Sequence, residues 1–201
     1  MAIWIIRHGE TSGNANRVVQ EPETPLSERG VAQAKRLGER LTSGAIRHIL
    51  ASDYARAAMT AESVRDAIGV EIEPEPLLRE RNFGLLRGRP YSELDVDIFD
   101  PNYEPPAGES WEVFDRRVDA AWERIQTVAA EVSGDLAVVT HGLVLYSLTL
   151  RRLALDRAET PGFDNTSITI VDPAPPWRIH LLNCTAHLDG PDASDPDGLA
   201  S

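Results

Sequence analysis

Arginine, histidine and glycine stand side by side at Arg7, His8 and Gly9, directly after the apolar run at residues 3–6. That run predicts a short buried strand. The three residues therefore fall at its carboxyl end, where open α/β sheets bind ligands. A guanidinium beside an imidazole, with a glycine that lets backbone N–H groups approach, suits a phosphoryl group. The alternative is an exposed Arg–His pair without function.

The same arrangement occurs a second time late in the chain. Residues 136–139 form an apolar run that ends in Thr140, His141 and Gly142. Two predicted strands that each deliver His–Gly to a sheet edge are hard to explain by core packing alone. For His141 taken singly, a hydrogen-bonded core histidine remains the alternative.

A third candidate, Arg56, lies in the first turn of a helix predicted over residues 54–68, after a strand predicted over 46–51. The positive end of the helix dipole disfavours a cation at that position. A bound anion would remove the conflict. The alternative is an ion pair of Arg56 with Asp53 or Glu62.

Glu80 lies between two arginines, Arg79 and Arg81, and a solvated charge cluster is the simpler explanation for it. The next segment, residues 82–109, is rich in Gly, Pro and Asp and contains four aromatic residues. It is too long for a plain connection, and loops of this kind are often lids or binding loops. We predict that 82–109 is a substrate-facing insertion.

The remaining elements must hold these residues in place. Ser27 is a good N-cap for a helix that runs to about Leu41, with a stripe that faces the core. The stripe consists of Val31, Ala34, Leu37 and Leu41. Two further helices are predicted over 110–133 and 143–153, and strands over 70–73, 166–171 and 177–182.

Length and composition restrict the function classes. The 201 residues fit one domain, and the 42% hydrophobic and 26% charged shares are ordinary for a globular protein. No stretch predicts a signal peptide or a membrane span, so we expect a cytoplasmic protein without a membrane partner. Cys184 is the only cysteine, which excludes an internal disulfide. Residues 189–201 have too few apolar residues to anchor them and predict a disordered tail.

The net charge of −12 argues against a nucleic-acid partner, because phosphate backbones bind basic surfaces. A small phosphorylated substrate remains compatible with an acidic protein, since local arginines can form a positive pocket. The sequence makes no prediction of oligomeric state.

Taken together and in this order, the motifs resemble the histidine phosphatase superfamily, which includes the cofactor-dependent phosphoglycerate mutases. The similarity spans residues 1–188 as one catalytic domain and consists of these matches: Arg7-His8-Gly9-Glu10-Thr11 with Asn14; Pro25-Leu26-Ser27 with Gly30 and Gln33-Ala34; Ser52 with Arg56-Ala57 and Thr60-Ala61; Glu80 with Gly84; Gly108-Glu109-Ser110; Thr140-His141-Gly142; Asn165-Thr166-Ser167; and Asn183-Cys184-Thr185-Ala186-His187-Leu188. The resemblance implies a single α/β domain with a mostly parallel central sheet and helices on both faces.

The resemblance also implies roles for individual residues. His8 would be the nucleophile that becomes phosphorylated, and Glu80 would give a proton to the leaving alcohol and later activate water. His141 would act with them in catalysis. Four residues would hold the phosphoryl oxygens: Arg7, Asn14, Arg56 and His141.

The chemistry requires these residue types independently of the resemblance. A neutral imidazole is a good nucleophile near neutral pH, and a covalent intermediate divides one difficult displacement into two easier ones. Fixed arginines stabilise the charge that spreads over the phosphoryl oxygens. A carboxyl group is a useful acid only when its pKa rises toward neutrality. We therefore expect no metal and no cofactor, and the spacing of His, Cys, Asp and Glu suggests no metal site.

Three positions depart from the pattern of many relatives without removing a catalytic group: Met59, Thr140 and Arg87. Arg87 and Arg89 could bind a second anionic group on the substrate, or form a solvated pair.

Our first hypothesis is a metal-independent phosphatase for a small phosphomonoester. A phosphoglycerate mutase is the second, although the typical mutases of the family are longer and have more extensive loops. A noncatalytic phosphate-binding module is the third, and it predicts the loss of at least one of five residues, all of which are present: Arg7, His8, Arg56, Glu80 and His141.

Overall fold

The computed structural model describes residues 1–42 and 45–189. Its strands are β1 (Ile3–Arg7), β2 (Ile46–Ala51), β3 (Ile72–Pro74), β4 (Asp135–Thr140), β5 (Ile168–Val171) and β6 (Ile179–Cys184). Its helices are α1 (Ser12–Ala15), α2 (Glu28–Leu41), α3 (Ala55–Ile68), α4 (Trp111–Glu131) and α5 (Gly142–Arg151). The six strands form one sheet in the order β3-β2-β4-β1-β5-β6.

The first four strands of that order are parallel, and β5 and β6 are antiparallel to their neighbours. Helices cover both faces of the sheet, so the predicted single α/β domain with a mostly parallel sheet is confirmed. Strands buried on both faces have nearly continuous apolar runs. This is why residues 3–6 and 136–139 were readable as strands.

Alternation along β4 divides the core into two halves. Leu136 and Val138 face α4 and α5, where they join a cluster that contains Phe114 and Trp122. Ala137 and Val139 face the opposite side of the sheet, against α2 and α3. All four β4 residues are fully buried. The two helical layers thus hold β4 and its neighbours in a fixed register.

Helix α2 begins against the loop that follows β1. Its N-cap Ser27 accepts a hydrogen bond from the Gly30 amide at 3.0 Å. A Cβ at Gly30 would lie 2.0 Å from the Glu10 carbonyl oxygen, so only glycine allows this approach. The prediction that Val31 faces the core is wrong, because Gly30 takes that place in the first turn and Val31 is 50% exposed.

The other predicted elements are present with shifted ends. The predicted strand at 70–73 is β3, the pair at 166–171 and 177–182 are β5 and β6, and the helix at 143–153 is α5. Within the described residues, no helix combines the length and apolarity needed to cross a membrane. All but Asp189 of the predicted disordered tail at 189–201 lies outside the described residues, so that part stays a prediction.

The 82–109 segment is held by a buried arginine. The guanidinium of Arg81, which is 2% exposed, donates to the carbonyls of Ile98 at 2.9 Å, Tyr103 at 2.7 Å and Glu109 at 3.1 Å. Two 3₁₀ turns and a small apolar cluster complete the segment. Gly84 has a positive φ of 53°, and a Cβ there would lie 2.0 Å from the Pro106 carbonyl oxygen. The segment is therefore ordered by Arg81, by its own turns and by backbone hydrogen bonds to residues 17 and 19.

Candidate active site

The two histidines meet at the carboxyl edge of the sheet. Arg7 at the end of β1 pairs with Thr140 at the end of β4. The next residues, His8 and His141, consequently lie side by side with ring centroids 5.1 Å apart. Both are buried, at 2% and 0% exposure. The sequence expectation that the two His–Gly motifs converge is thus met.

His8 is fixed in one tautomer by its neighbour. Its Nδ1 lies 2.7 Å from the Gly9 carbonyl oxygen and donates a hydrogen bond to it, which leaves the lone pair on Nε2. The Gly9 amide donates to Thr60 Oγ1 at 3.1 Å, which fixes this loop against α3. Burial, followed by the charges of Arg56 and Arg7, holds the pKa of His8 well below its usual value. His8 is therefore a neutral imidazole at neutral pH.

The carbonyl of His8 is held by residues from near the other end of the chain. It accepts hydrogen bonds from Asn165 Nδ2 at 3.0 Å and from the Thr166 amide at 3.2 Å. The Arg7 amide donates in turn to the Ser167 carbonyl at 3.2 Å. The loop between α5 and β5 thus fixes the backbone on which the nucleophile candidate stands.

Arg56 points at His8. Its Nε donates to His8 Nε2 at 3.3 Å, and its Nη1 donates to the Glu21 carbonyl at 3.1 Å. Burial lowers the pKa of Arg56 to about 10, so the guanidinium remains charged. The alternative, an ion pair with Asp53 or Glu62, is wrong. Asp53 binds Arg79 instead, and Arg56 donates to His8 and to the Glu21 carbonyl rather than to Glu62. An arginine 2% exposed at a helix N-terminus is a donor aimed at the sheet edge.

Arg7 supplies a second buried cation. Its Nη1 donates to the Phe163 carbonyl, while its Nε is buried without a hydrogen-bond partner. Burial lowers its pKa, and the nearby carboxylates of Glu80 and Asp164 act in the opposite direction. An arginine in this setting stays protonated.

His141 has one ring nitrogen occupied and one free. Its Nε2 lies 2.8 Å from Ser52 Oγ, whereas its Nδ1 is buried without a partner. Burial, then the charges of Arg56 and neighbouring groups, holds its pKa well below the usual value. Buried polar atoms are rarely left unpaired, so His141 Nδ1 and Arg7 Nε point to a ligand that takes hydrogen bonds.

Glu80 follows the turn after β3 and lines a cavity that Arg7, His8 and Arg56 also line. One carboxylate oxygen accepts from the Arg81 amide at 2.9 Å and the other from the Leu143 amide at 3.2 Å. Burial raises the pKa of Glu80, and these two N–H donors and the charges of Arg56 and Arg7 partly offset that rise. The solvated-cluster explanation is therefore wrong, because Glu80 is partly buried and aimed into the site.

Asn14 and Arg87 also line this cavity, whose volume is about 610 Å³ including its mouth. The side-chain oxygen of Asn14 accepts from the Thr11 amide at 3.2 Å. Arg87 donates to the Tyr54 hydroxyl at 3.3 Å. Arg89 does not reach the site, since its guanidinium donates to the Glu93 carbonyl at 2.7 Å. The predicted pair of arginines is thus split, with only Arg87 at the cavity.

Sequence reasoning missed several neighbours of these side chains. Tyr54, the N-cap residue of α3, packs edge-on against the His141 ring at 5.5 Å and lies under the Arg56 guanidinium. Gln20 also lines the cavity. Ser52 had a signal, since it follows β2 and matches the family motif. Nothing in the sequence marked Tyr54 or the Phe163 carbonyl as part of the site.

Part of the cavity wall comes from the 82–109 segment. Phe83, Tyr91 and Phe99 line it, and Tyr91 packs edge-on against Phe99 at 6.3 Å. Thr140, one of the departures from the family pattern, donates from Oγ1 to the Leu78 carbonyl at 2.8 Å and so ties β4 to the turn before Glu80. No group of three or more His, Cys, Asp or Glu side chains in residues 1–42 and 45–189 is arranged to hold a metal ion.

Comparison with known proteins identifies the class of protein that has this fold and site. Residues 3–185 match the model of the histidine phosphatase superfamily (branch 1), and the chain belongs to that family. Among curated proteins it is 32% identical to the "Probable phosphoglycerate mutase GpmB" of Yersinia pestis, over 95% of this chain and 96% of the relative.

Solved structures with the same fold include proteins named as phosphatases and proteins named as mutases. A mycobacterial glucosyl-3-phosphoglycerate phosphatase in complex with VO3 superposes with a TM-score of 0.78 at 25% identity, over 90% of this chain and 98% of that one. A phosphoglycerate mutase from Bacillus anthracis gives a TM-score of 0.77 at 25% identity, over 93% and 94%. The fold and the aligned share of the chain are therefore nearly the same for a protein named mutase as for one named phosphatase.

Proposed function

We propose that this protein is a metal-independent phosphatase that hydrolyses a small phosphomonoester through a phosphohistidine. In the first step His8 Nε2 attacks phosphorus, the P–O bond to the alcohol breaks, and Glu80 gives its proton to the departing oxygen. In the second step Glu80 takes a proton from water, whose oxygen displaces the phosphoryl group from His8. Inorganic phosphate and the alcohol are the products.

The observation that supports this proposal most directly is the state of His8. Its Nδ1–H is used by the Gly9 carbonyl, and its Nε2 lone pair faces the Arg56 guanidinium in a buried site. A nucleophile must be unprotonated, and the lowered pKa provides that. A histidine serving the core would not require a buried cation beside it.

The charges around His8 match the phosphoryl group. Arg7 and Arg56 supply two guanidinium groups. The unpaired Arg7 Nε supplies a donor that a phosphoryl oxygen would satisfy, and His141 Nδ1 supplies another in the tautomer whose Nε2 accepts from the Ser52 hydroxyl. Donors placed before reaction stabilise the transition state by about 3 kcal/mol each. Asn14 lines the same cavity and adds a further polar group.

A mutase is the second candidate, and one observation favours it. Arg87 lines the cavity and could bind the second anionic group of a phosphoglycerate. Of the other cavity-lining arginines, Arg81 is committed to three backbone carbonyls, and Arg7 and Arg56 lie at His8. Three aromatic residues of the 82–109 segment, Phe83, Tyr91 and Phe99, line the same cavity and offer no further cation to a second anionic group.

The decisive experiment measures phosphate release from a panel of phosphomonoesters in EDTA. We expect release by the unmodified protein and a loss of at least about 10³-fold in kcat/KM for His8→Ala, because the nucleophile is removed. Val31→Ala, an exposed change on α2, is the matched control. Release that persists without His8, or that EDTA abolishes, would contradict the proposal. Interconversion of phosphoglycerates in the presence of a bisphosphate primer would support the mutase instead of the phosphatase.

A further inference from the structure

A second cavity opens beside the phosphoryl site, between α4, α5 and the loop that follows α5. We call it the apolar groove. It is lined mainly by six apolar or aromatic side chains: Phe99, Trp111, Leu143, Tyr146, Leu150 and Phe163. Its volume is about 1460 Å³, including the open space at its mouth.

The groove is continuous with the phosphoryl cavity. Phe99, Gly142 and Leu143 line both, so the two cavities meet at the N-terminus of α5. Leu143 connects them chemically as well, since its amide donates to Glu80 while its side chain forms part of the groove wall. A proton delivered by Glu80 goes to the leaving oxygen, and the rest of the alcohol must extend from that point.

Arg7 has a similar connection to the apolar groove. Its guanidinium donates to the carbonyl of Phe163, whose ring lines the groove and is 5% exposed. One residue of the groove wall therefore holds a phosphate-binding candidate, and another holds the acid candidate. The groove begins where the phosphoryl cavity ends.

Polar groups in the groove wall are mostly occupied within the protein. Ser147 donates to Asp115 at 2.7 Å, and Thr160 donates to the Asp156 carbonyl at 2.8 Å. Arg151 forms an ion pair with Asp119. Apart from the exposed Arg157, the surface offered to a ligand is consequently mainly apolar, and a short hydrophilic alcohol would leave it unfilled.

From these observations we propose that the groove binds the alcohol part of the substrate, and that this alcohol is bulky, ring-containing and mainly apolar. This inference rests on the proposed phosphatase activity and specifies its substrate class. Burial of a ring in the groove stabilises the bound ester in proportion to the apolar area removed from water.

The test compares two esters whose alcohols have nearly equal acidity, propyl phosphate and 3-phenylpropyl phosphate, so that the chemical step is matched. We expect kcat/KM to be at least about tenfold higher for 3-phenylpropyl phosphate. In Tyr146→Ala and Leu150→Ala that ratio should fall at least about threefold, because each removes part of the wall. In the control Val31→Ala the ratio should not change.

A binding measurement that does not depend on turnover accompanies this kinetic test. The His8→Ala protein should bind 3-phenylpropyl phosphate more tightly than propyl phosphate by a similar factor, measured by titration calorimetry. Hydrolysis of both esters without a preference, or a preference that survives both groove substitutions, would overturn the groove and leave the phosphatase standing. The absence of phosphate release from every ester would overturn both.

Discussion

Two residues set opposite limits on the pH at which the proposed reaction proceeds. His8 must be neutral to attack, and its lowered pKa keeps it so until the solution is well below the usual range of histidine. Glu80 must be protonated when the alcohol leaves, and burial raises its pKa toward that requirement. The acid form is complete below the pKa of Glu80 and is lost as the pH rises through it.

Glu80→Gln tests this assignment, because glutamine retains the size of the side chain but cannot transfer a proton. We expect the decline of kcat/KM at rising pH to disappear and kcat/KM on an alkyl phosphate to fall by about 10²- to 10⁴-fold. A nitrophenyl ester is the control, because its leaving group needs no proton and its kcat/KM, which reports only the first step, should fall much less. Equal losses of kcat/KM on both esters would show that Glu80 does not act as the acid.

Among the elements, the 82–109 segment depends on one side chain. Arg81 donates to three carbonyls that lie 17 to 28 residues further along the chain. Its replacement leaves those buried acceptors without partners, and hydrogen bonds to a charged donor are among the stronger ones.

We therefore expect Arg81→Met to lower the free energy of unfolding by about 3 to 5 kcal/mol and to increase proteolytic cleavage within 82–109. Urea unfolding and limited proteolysis measure the two effects. Arg89→Ala, which removes an exposed guanidinium from the same segment, should change stability by less than about 0.5 kcal/mol. A segment that resists proteolysis equally in both variants would refute this role for Arg81.

The same segment illustrates where prediction from sequence ends. Strands β1 and β4, the cap Ser27 and the start of α4 near Ser110 were predictable, because apolar runs and N-cap residues act locally. The fold of 82–109 was not, because buried bonds from Arg81 to distant carbonyls leave no periodic signal.

The candidate site shows the same division between local signals, which the sequence reveals, and long-range contacts, which it does not. His8 and His141 were predictable from two local motifs, and Arg56 from its unfavourable place on the helix dipole. The partners that orient them come from elsewhere in the chain, as with Ser52 at His141 and the Phe163 carbonyl at Arg7. Such contacts depend on the register between strands and on loops that a single sequence does not specify.

At the scale of the whole molecule, buried neutral histidines make stability depend on pH. His8 and His141 have pKa values well below the usual one, and burial lowers the pKa of His187 to about 4. In the unfolded chain these groups take up protons below about pH 6.5. The unfolded state then binds more protons than the folded one, so stability falls as the pH falls.

We expect the free energy of unfolding to decrease below about pH 6.5 by up to about 1.4 kcal/mol per pH unit for each of these histidines. The double variant His8→Gln/His141→Gln should show a shallower decrease. Urea titrations between about pH 5 and pH 8 measure this, and above about pH 7.5 the two proteins should show the same slope. Equal slopes below pH 6.5 would contradict the buried neutral state.

The hydrogen bonds from Asn165 and Thr166 to the His8 carbonyl bear on when this protein becomes active during its synthesis. Strand β1 lies between β4 and β5, whose residues the ribosome adds more than a hundred positions later. Long-range pairing of this kind forms only once both partners have emerged. The nascent chain therefore holds His8, the proposed nucleophile, unassembled through most of translation, and we expect a product that ends before β5 to lack the proposed phosphatase activity.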